Sequence, residues 1–520
     1  MKHIQKLLCV LLALTVALAL GLTAFAADGY TLTINNAAKD HTYEAYQVFT
    51  GTLSGSTLSD IDWGTGVDGT ALLAALKGDA ALGATFADCS TAADVAKLLS
   101  DANAAAFAQL AGQHLAAVAG TSTYTGSAYA ITGLAAGYYL VKDKDASQAG
   151  TADAYTSFIL KVVKDTAADP KSSVPTVVKK VKENVKYTAD GNYGAGYNDV
   201  ADYSIGDVVP FELVGTLPTN YDSYTTYNYA FHDTASAGLT IDSSSVKVYA
   251  GTTDITASFT TALDGQNLTV SCANLKTVAA LTAASTITVQ YSAKLNANAE
   301  IGQPGNPNEV YLTYSNNPNA GGTGDTGKTP TDKVIVFTYE LDTTKVDGAD
   351  NTKKLANAEF QLYRMAGSDK SYAVVSAGKI TGWTADAAQA TTLTSDANGL
   401  FKVAGIDDGT YYLHETKAPD GYNKLAADVE LTITATTANG QNWNDFDAAK
   451  ALTALNIKAG GKTTAGALDT GAVALNVENN AGSVLPSTGG IGTVIFTVGG
   501  LVLILAAAVI YVAKRRLDRD

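Results

Sequence analysis

The 520-residue chain reads as mainly β: tandem β-sandwich modules in series, with a helical insertion in the first. Three observations lead there. The chain holds 27 Tyr and many Thr and Val, residues that suit a pleated, half-buried surface. Short runs alternate apolar and polar residues between Gly, Pro and Asn turn signals. Helical periodicity is confined to one Ala-rich region. At about 150 residues per domain the length fits about three modules, each large enough for its own core.

Taken in order, residues 27–168 form the first module. Tyr30–Ile34 alternates as a half-buried strand does, and Tyr43–Thr52 is a second strand. Between Ala71 and Ala119, Ala71, Leu72, Ala75 and Leu76, then Ala92, Val95, Ala96 and Leu99, recur at helical spacing in the best helix-forming background. Strands return at Ala128–Lys142 and Ser157–Val163. Thr166 to Pro175, with two prolines among small polar residues, is a linker. Residues 169–339 form a second sandwich, with turns at Leu217–Asn220 and Gly305–Asn308. Its strands include Ser245–Tyr249, Leu268–Ser271, Thr286–Tyr291 and Val310–Tyr314, and Pro318–Asp332 is a loop before the strand Val334–Tyr339. A third module spans 340–484. Its segment Gly405-Ile-Asp-Asp-Gly-Thr-Tyr-Tyr-Leu-His-Glu415 echoes Gly133-Leu-Ala-Ala-Gly-Tyr-Tyr-Leu-Val-Lys-Asp143 without gaps, a weak internal repeat of related β-modules.

The termini carry addresses. Lys2 and Lys6, the apolar run Leu7–Leu22 and Ala24-Phe25-Ala26 make residues 1–26 a signal peptide. At the other end Leu485-Pro486-Ser487-Thr488-Gly489 precedes an apolar run from Ile491 to Ala513, long enough to cross a bilayer, and the basic cluster Lys514-Arg515-Arg516. In this order the three features of residues 485–520 resemble the cell-wall sorting signal of Gram-positive surface proteins. In that family a membrane-bound sortase cuts between Thr and Gly, here Thr488 and Gly489, and passes the threonyl group to an amine. An exported, wall-anchored protein is the expectation. A net charge of −15 speaks against nucleic acid as a partner. Cys9 leaves with the signal peptide, and Cys89 and Cys272, far apart in the sequence, are expected to stay unpaired.

From Gly399-Leu400-Phe401 through Gly405, Tyr411, Leu413 and Glu415-Thr416-Lys417-Ala418-Pro419-Asp420-Gly421-Tyr422, the third module resembles the CNA-B-like domain of Gram-positive pilins, with Glu415 in the position of their "E box". Val174–Val181 and Asn308-Glu309-Val310-Tyr311 resemble the middle domain of major fimbrial subunits. The resemblance implies Ig-like/CNA-B-like sandwiches in the backbone subunit of a sortase-assembled pilus. It implies as partners sortases, both pilin-polymerising and housekeeping, other copies of the chain, ancillary pilins and peptidoglycan, with a host surface ligand open. An anchored adhesin or a tip or base pilin is the alternative.

The resemblance also implies two chemistries. In that family a Lys in a YPKN-type motif accepts the sortase-held Thr of the next subunit. Here only Pro170-Lys171 matches, so the motif is degenerate. Lys171 is favoured by its exposed, Pro-bounded place after the last strand of the first module, with Lys161 and Lys164 as competitors. The second chemistry is an internal Lys–Asn isopeptide bond, assisted by a carboxyl. Burial disfavours the ammonium and leaves a nucleophilic amine; a carboxyl protonated for the same reason polarises the Asn carbonyl. For the third module the resemblance implies Lys345, Glu415 and Asn479; alternation puts Leu475, Val477 and Asn479 on one, buried, face. For the second it implies Lys179, Asp233 and Asn308, with Lys180 and Asn306 as alternatives. The first module keeps Asp143 at the Glu415 position, but its first strand carries Ile34 and no Lys, so no bond is expected there. Among His41, His114, His232 and His414 there is no HExxH spacing and no nucleophile-elbow context, and no phosphate loop or metal cluster is apparent. No cofactor, no metal and no enzymatic activity on an external substrate are expected.

Overall fold

The structure is a computed structural model that describes residues 29–170, 173–184, 196–279, 281–318, 324–437, 443, 446–482 and 491–517. The signal peptide, Lys171 and Leu485, Pro486, Thr488 and Gly489 lie outside the described residues.

The N-terminal region stacks one sheet on another. The first orders the strands Thr123–Tyr124, Tyr129–Leu134, Tyr30–Ile34 and Thr166–Ala168. The other orders Thr57–Trp63, Tyr43–Ser54, Gly137–Asp143 and Ser157–Val162. Between them lie Leu32, Ile34, Tyr43, Tyr129, Ile131, Tyr139 and Val141. The second sheet is covered on its far face as well, by the Ala-rich stretch. That stretch folds as four short helices, Gly69–Gly78, Gly83–Phe86, Ala92–Leu98 and Ala104–Ala111. Leu72, Leu76, Phe86, Val95 and Phe107 pack there on Val48, Phe49 and Leu140. A sheet covered on both faces needs apolar residues on both, so Tyr139-Leu140-Val141 are buried in succession. Caps delimit the helices: Asp68 accepts from Ala71 N, and Thr91 with Asp94 closes a capping box.

The middle region is a sandwich of a six-stranded and a seven-stranded sheet. Val177–Lys182, Val208–Thr216 and Thr286–Leu295 are neighbours in the first; Asn306–Ser315 and Tyr229–Ala235 are neighbours in the second. Pro318–Asp332, expected as a loop, contains the strand Thr326–Lys328, which pairs antiparallel with Asn306–Ser315. A Gly- and Thr-rich segment without an apolar pattern hid this short edge strand. The same segment also holds the N-terminal region: Gly150 N donates to Thr326 O at 2.7 Å, and Tyr155 Oη to Asp325 at 2.6 Å.

The third region is an eleven-stranded sheet folded over Leu341, Phe360, Val403, Leu413, Leu431 and Val473, whose core runs on into that of the middle sandwich. Tyr339–Asp347 lies between Leu400–Ile406, antiparallel, and Ala472–Asn479, parallel. The repeated segment makes the same corner in both places. Gly133 and Gly405 take positive φ (76° and 84°) near the end of one strand, and the chain then enters the strand that carries Asp143 or Glu415. Cys89 and Cys272 are buried free thiols. The helix Ile491–Leu517 shows Phe496 and Leu503 at 83% and 72% exposure, an apolar surface that suits a bilayer rather than a protein core.

Gly399 sets the spacing around Lys345. It takes φ +71°, its carbonyl accepts from Lys345 N at 2.7 Å, and a Cβ there would stand 2.5 Å from Lys345 O. Gly399→Ala is expected to cost about 1–3 kcal/mol. The check is a lowered melting transition of residues 340–484, with the N-terminal region unchanged.

Candidate functional site: two buried lysine clusters

In the middle sandwich the strand Val177–Lys182 alternates so that Val177, Lys179 and Val181 face inward. Lys179 is fully buried. It reaches from the six-stranded sheet to Asp233 in the seven-stranded one, on the strand that neighbours the strand of Asn308. Its Nζ donates to Asp233 Oδ2 and, at 2.9 Å, to Tyr291 Oη. Tyr291 Oη donates to Asp233 Oδ1 at 2.9 Å and accepts from Asn308 Nδ2 at 2.8 Å. The rings of Phe211 and Tyr291 lie 5.2 and 5.3 Å from the amine. Burial pulls the Lys179 amine below its ordinary range, against the pull of the Asp233 charge. Burial raises the Asp233 carboxyl, against Lys179. Both shifts favour a neutral amine beside a protonated carboxyl.

The alternatives face elsewhere. Lys180 is half-exposed and ion-pairs with Asp199. Asn306 is buried and occupied as a loop brace: it accepts from Glu300 N at 3.0 Å and donates to Val336 O at 3.1 Å.

In the third region Lys345 is likewise fully buried, one strand over from Asn479, with Lys345 opposite Val477 in the register. Its Nζ donates to Val477 O at 2.8 Å rather than to Glu415. Burial lowers its pKa to about 8, with the Glu415 and Glu478 charges opposing. About a tenth of such amines is neutral at pH 7. Asn479 Nδ2 donates to Glu415 Oε2 at 3.1 Å and to Asn423 O at 2.5 Å. Leu425 N donates to the same Glu415 oxygen at 2.7 Å. The loop after the E box therefore fixes both carboxyl and amide. Glu415 Oε1, Asn479 Oδ1 and Asn308 Oδ1 are buried without a hydrogen-bond partner. Orphaned acceptors of this kind are costly. A proton on Glu415 would turn its free oxygen into a donor for an amide carbonyl.

The N-terminal region has a different pair. Asp143 is fully buried, accepts from Thr156 N at 2.7 Å and faces His41 Nδ1 at 2.8 Å. Thus a histidine from a loop, not a strand lysine, meets the carboxyl. His232 stacks on Tyr311 and His414 meets Asp428 at 2.6 Å at the surface. Asp202, Asp407 and Asp408 converge where the middle and third regions meet. Asp202 accepts from Tyr339 Oη at 3.0 Å and Asp407 from Asn184 at 2.8 Å, so protein groups already serve them.

Reasoning from sequence missed Tyr291, Asn423, Leu425 and His41. Tyr291 ends an alternating run, and a buried Tyr there reads as core. The other contacts come from loops, where strand alternation has no reach.

His41 supplies a pH test. Burial alone would lower its pKa, but the Asp143 hydrogen bond and charge, with Asp153 behind, raise it above 6.5. A raised pKa stabilises fully below the unfolded value and is lost as pH rises through the folded value. The stability gap between wild type and His41→Gln should therefore be widest below about pH 6.5 and shrink as the pH rises above it. Hydrogen exchange of the strand Gly137–Asp143 measures it.

Three family models match the chain: a Gram-positive pilin backbone subunit, Cna-B-like domain at residues 205–318, a SpaA prealbumin-like fold domain at 339–445, and an LPXTG cell wall anchor motif at 477–517. The trypsin-resistant surface T6 protein of Streptococcus pyogenes serotype M6 is 26% identical over 404 residues, 66% of this chain and 70% of that protein. Among solved structures, the T6 backbone pilin of the same serotype has a modular three-domain structure. It aligns over 88% of this chain and all of its own, with TM-score 0.54 and 17% identity, a likeness of fold. The major pilin SpaD of Corynebacterium diphtheriae aligns over 87% of this chain and 98% of its own, with TM-score 0.46 and 18% identity. The anchor motif and apolar helix make this a cell-wall-anchored surface protein that passes through the membrane. The chain thus carries a backbone-pilin Cna-B-like domain and a prealbumin-like domain ahead of an LPXTG cell wall anchor motif, as Gram-positive pilins do.

Proposed function

We propose that this chain is the shaft subunit of a pilus, joined covalently to its neighbours by a sortase and stapled internally by two isopeptide bonds. Its modules are residues 27–168, 169–339 and 340–484, between a signal peptide and the sorting signal. The sortase cleaves at Thr488–Gly489 of Leu485-Pro486-Ser487-Thr488-Gly489 and passes Thr488 to Lys171 of the next subunit. In sequence Lys171 follows the strand Thr166–Ala168 that closes the first sheet and precedes Val177–Lys182 of the next sandwich, the junction where an acceptor amine can be offered to a partner. A housekeeping sortase would give the last subunit to peptidoglycan. The relatives are structural subunits, and the chemistry proposed is on the chain itself.

One observation carries the internal chemistry: two fully buried lysines each share a pocket with an acid and an Asn from another strand. In each, the ammonium gives a proton to Asp233 or Glu415. The amine adds to the Asn carbonyl, an amide forms, the C–N bond of the side-chain amide breaks, and ammonia leaves. The product, Lys179–Asn308 or Lys345–Asn479, removes a buried charge and joins strands remote in sequence.

The recombinant ectodomain, residues 28–484, is expected to weigh less than its sequence by two ammonias, about 17 Da each. Tryptic peptides should map the losses to these two pairs, and Asp233→Ala and Glu415→Ala should each restore one. A full-sequence mass would refute the staples. In wall extracts Lys171→Ala should abolish the high-mass ladder; a persisting ladder would move the acceptor to Lys161 or Lys164.

A further inference from the structure

We propose that the Tyr291 phenol is a further catalytic group of the middle-module bond, carrying a proton from Lys179 to the departing nitrogen of Asn308. This rests on the crosslink reading above and adds a residue to it. Tyr291 Oη is hydrogen-bonded to all three partners, Lys179 Nζ at 2.9 Å, Asp233 Oδ1 at 2.9 Å and Asn308 Nδ2 at 2.8 Å, and the Asp233 carboxyl also meets the Asn308 amide. The two oxygens of Asp233 thereby have separate work, Oδ2 on the amine and Oδ1 on the phenol.

The proton balance uses both. The Lys179 ammonium gives its first proton to Asp233 Oδ2, and the neutral amine adds to Asn308 Cγ. Protonation weakens the hold of Asp233 on the phenol proton. In the tetrahedral adduct Nδ2 is no longer a planar amide nitrogen and has a lone pair to accept with. The phenol gives its proton to Nδ2 and takes the second proton from Nζ. The Cγ–Nδ2 bond breaks; the products are the new amide, ammonia, a protonated Asp233 and an unchanged phenol. Charge is conserved, since one ammonium and one carboxylate have become neutral. Burial holds the phenol well above its ordinary pKa, so it serves as a neutral donor and acceptor rather than as a phenolate. The third module lacks this arrangement: there Asn479 Nδ2 meets Glu415 and Asn423 O directly. It is a control within the same molecule.

The test follows bond formation after pulse-labelling, in the ectodomain, by intact mass and mapped peptides. Tyr291→Phe keeps the ring on Phe211, whose centroid lies 5.4 Å away. It is expected to slow the Lys179–Asn308 bond at least tenfold and leave Lys345–Asn479 at the wild-type rate. Tyr229→Phe removes a buried hydroxyl from the same core, one that donates to Thr216 O at 2.9 Å and touches none of the three groups, and should still form both bonds. Wild-type speed in Tyr291→Phe, or equal loss in both variants, overturns the relay. Difluorotyrosine at position 291 keeps ring and hydroxyl but is more acidic; it should shift the pH profile of this bond downward, and an unmoved profile also overturns the relay. If the wild-type protein lacks the Lys179–Asn308 bond altogether, the crosslink reading itself fails, and the relay with it.

Discussion

A lysine amine stripped of water next to a carboxyl is the interaction on which the rest of this structure depends. Burying an ion pair is expensive, because each charge loses its hydration. Lys179 and Lys345 are both fully buried, and both are pushed toward the neutral form. In a protein selected only for stability, an apolar side chain would serve those positions better. Here the surroundings hold the amine without water: aromatic rings over Lys179, a backbone carbonyl on Lys345, and nearby an Asn amide whose oxygen has no partner. In the proposed reaction the desolvated charge is consumed by bond formation. The strands that hold the groups together are then held together by them.

The proposed staples lie where tension would run. In the proposed linkage, force enters a subunit at Lys171 and leaves at Thr488. Everything before Lys171 lies off that path, and it is there that the carboxyl meets His41 instead of a lysine. The Asp143–His41 pair is a non-covalent, hydrogen-bonded contact at 2.8 Å. Along the loaded path, Lys179–Asn308 and Lys345–Asn479 would each short-circuit most of a sandwich. Between them the middle and third modules share one continuous hydrophobic core. The join is braced by Arg364 on Asp207 at 3.2 Å and Ile205 N on Gly405 O at 2.9 Å.

Much of this was legible in the sequence because strands have a period of two. Val177, Lys179 and Val181 share a face, as do Val473, Val477 and Asn479, and in both cases a polar residue stands in an apolar row. A lysine in such a row signals chemistry or a burial cost; a tyrosine in such a row signals nothing, and so Tyr291 was invisible. The same limit hid Asn423 and Leu425, which act through backbone groups that any residue carries. The edge strand Thr326–Lys328 has no apolar alternation and could be recognised only from its partner. The Ala-rich stretch announced helices but not its division into four, which the caps Asp68 and Thr91 help impose.

The central claim is that load passes through side-chain amides and not through the strands. It is tested most directly by pulling a single ectodomain between handles at positions 171 and 484. If the staples are present, the molecule should reach its breaking force with no step longer than roughly 130 Å, the extended length of the unbridged stretch between Asn308 and Lys345. Steps of roughly 500–600 Å, the length of residues 340–484 or 169–339 drawn out at about 3.5 Å per residue, would contradict the claim.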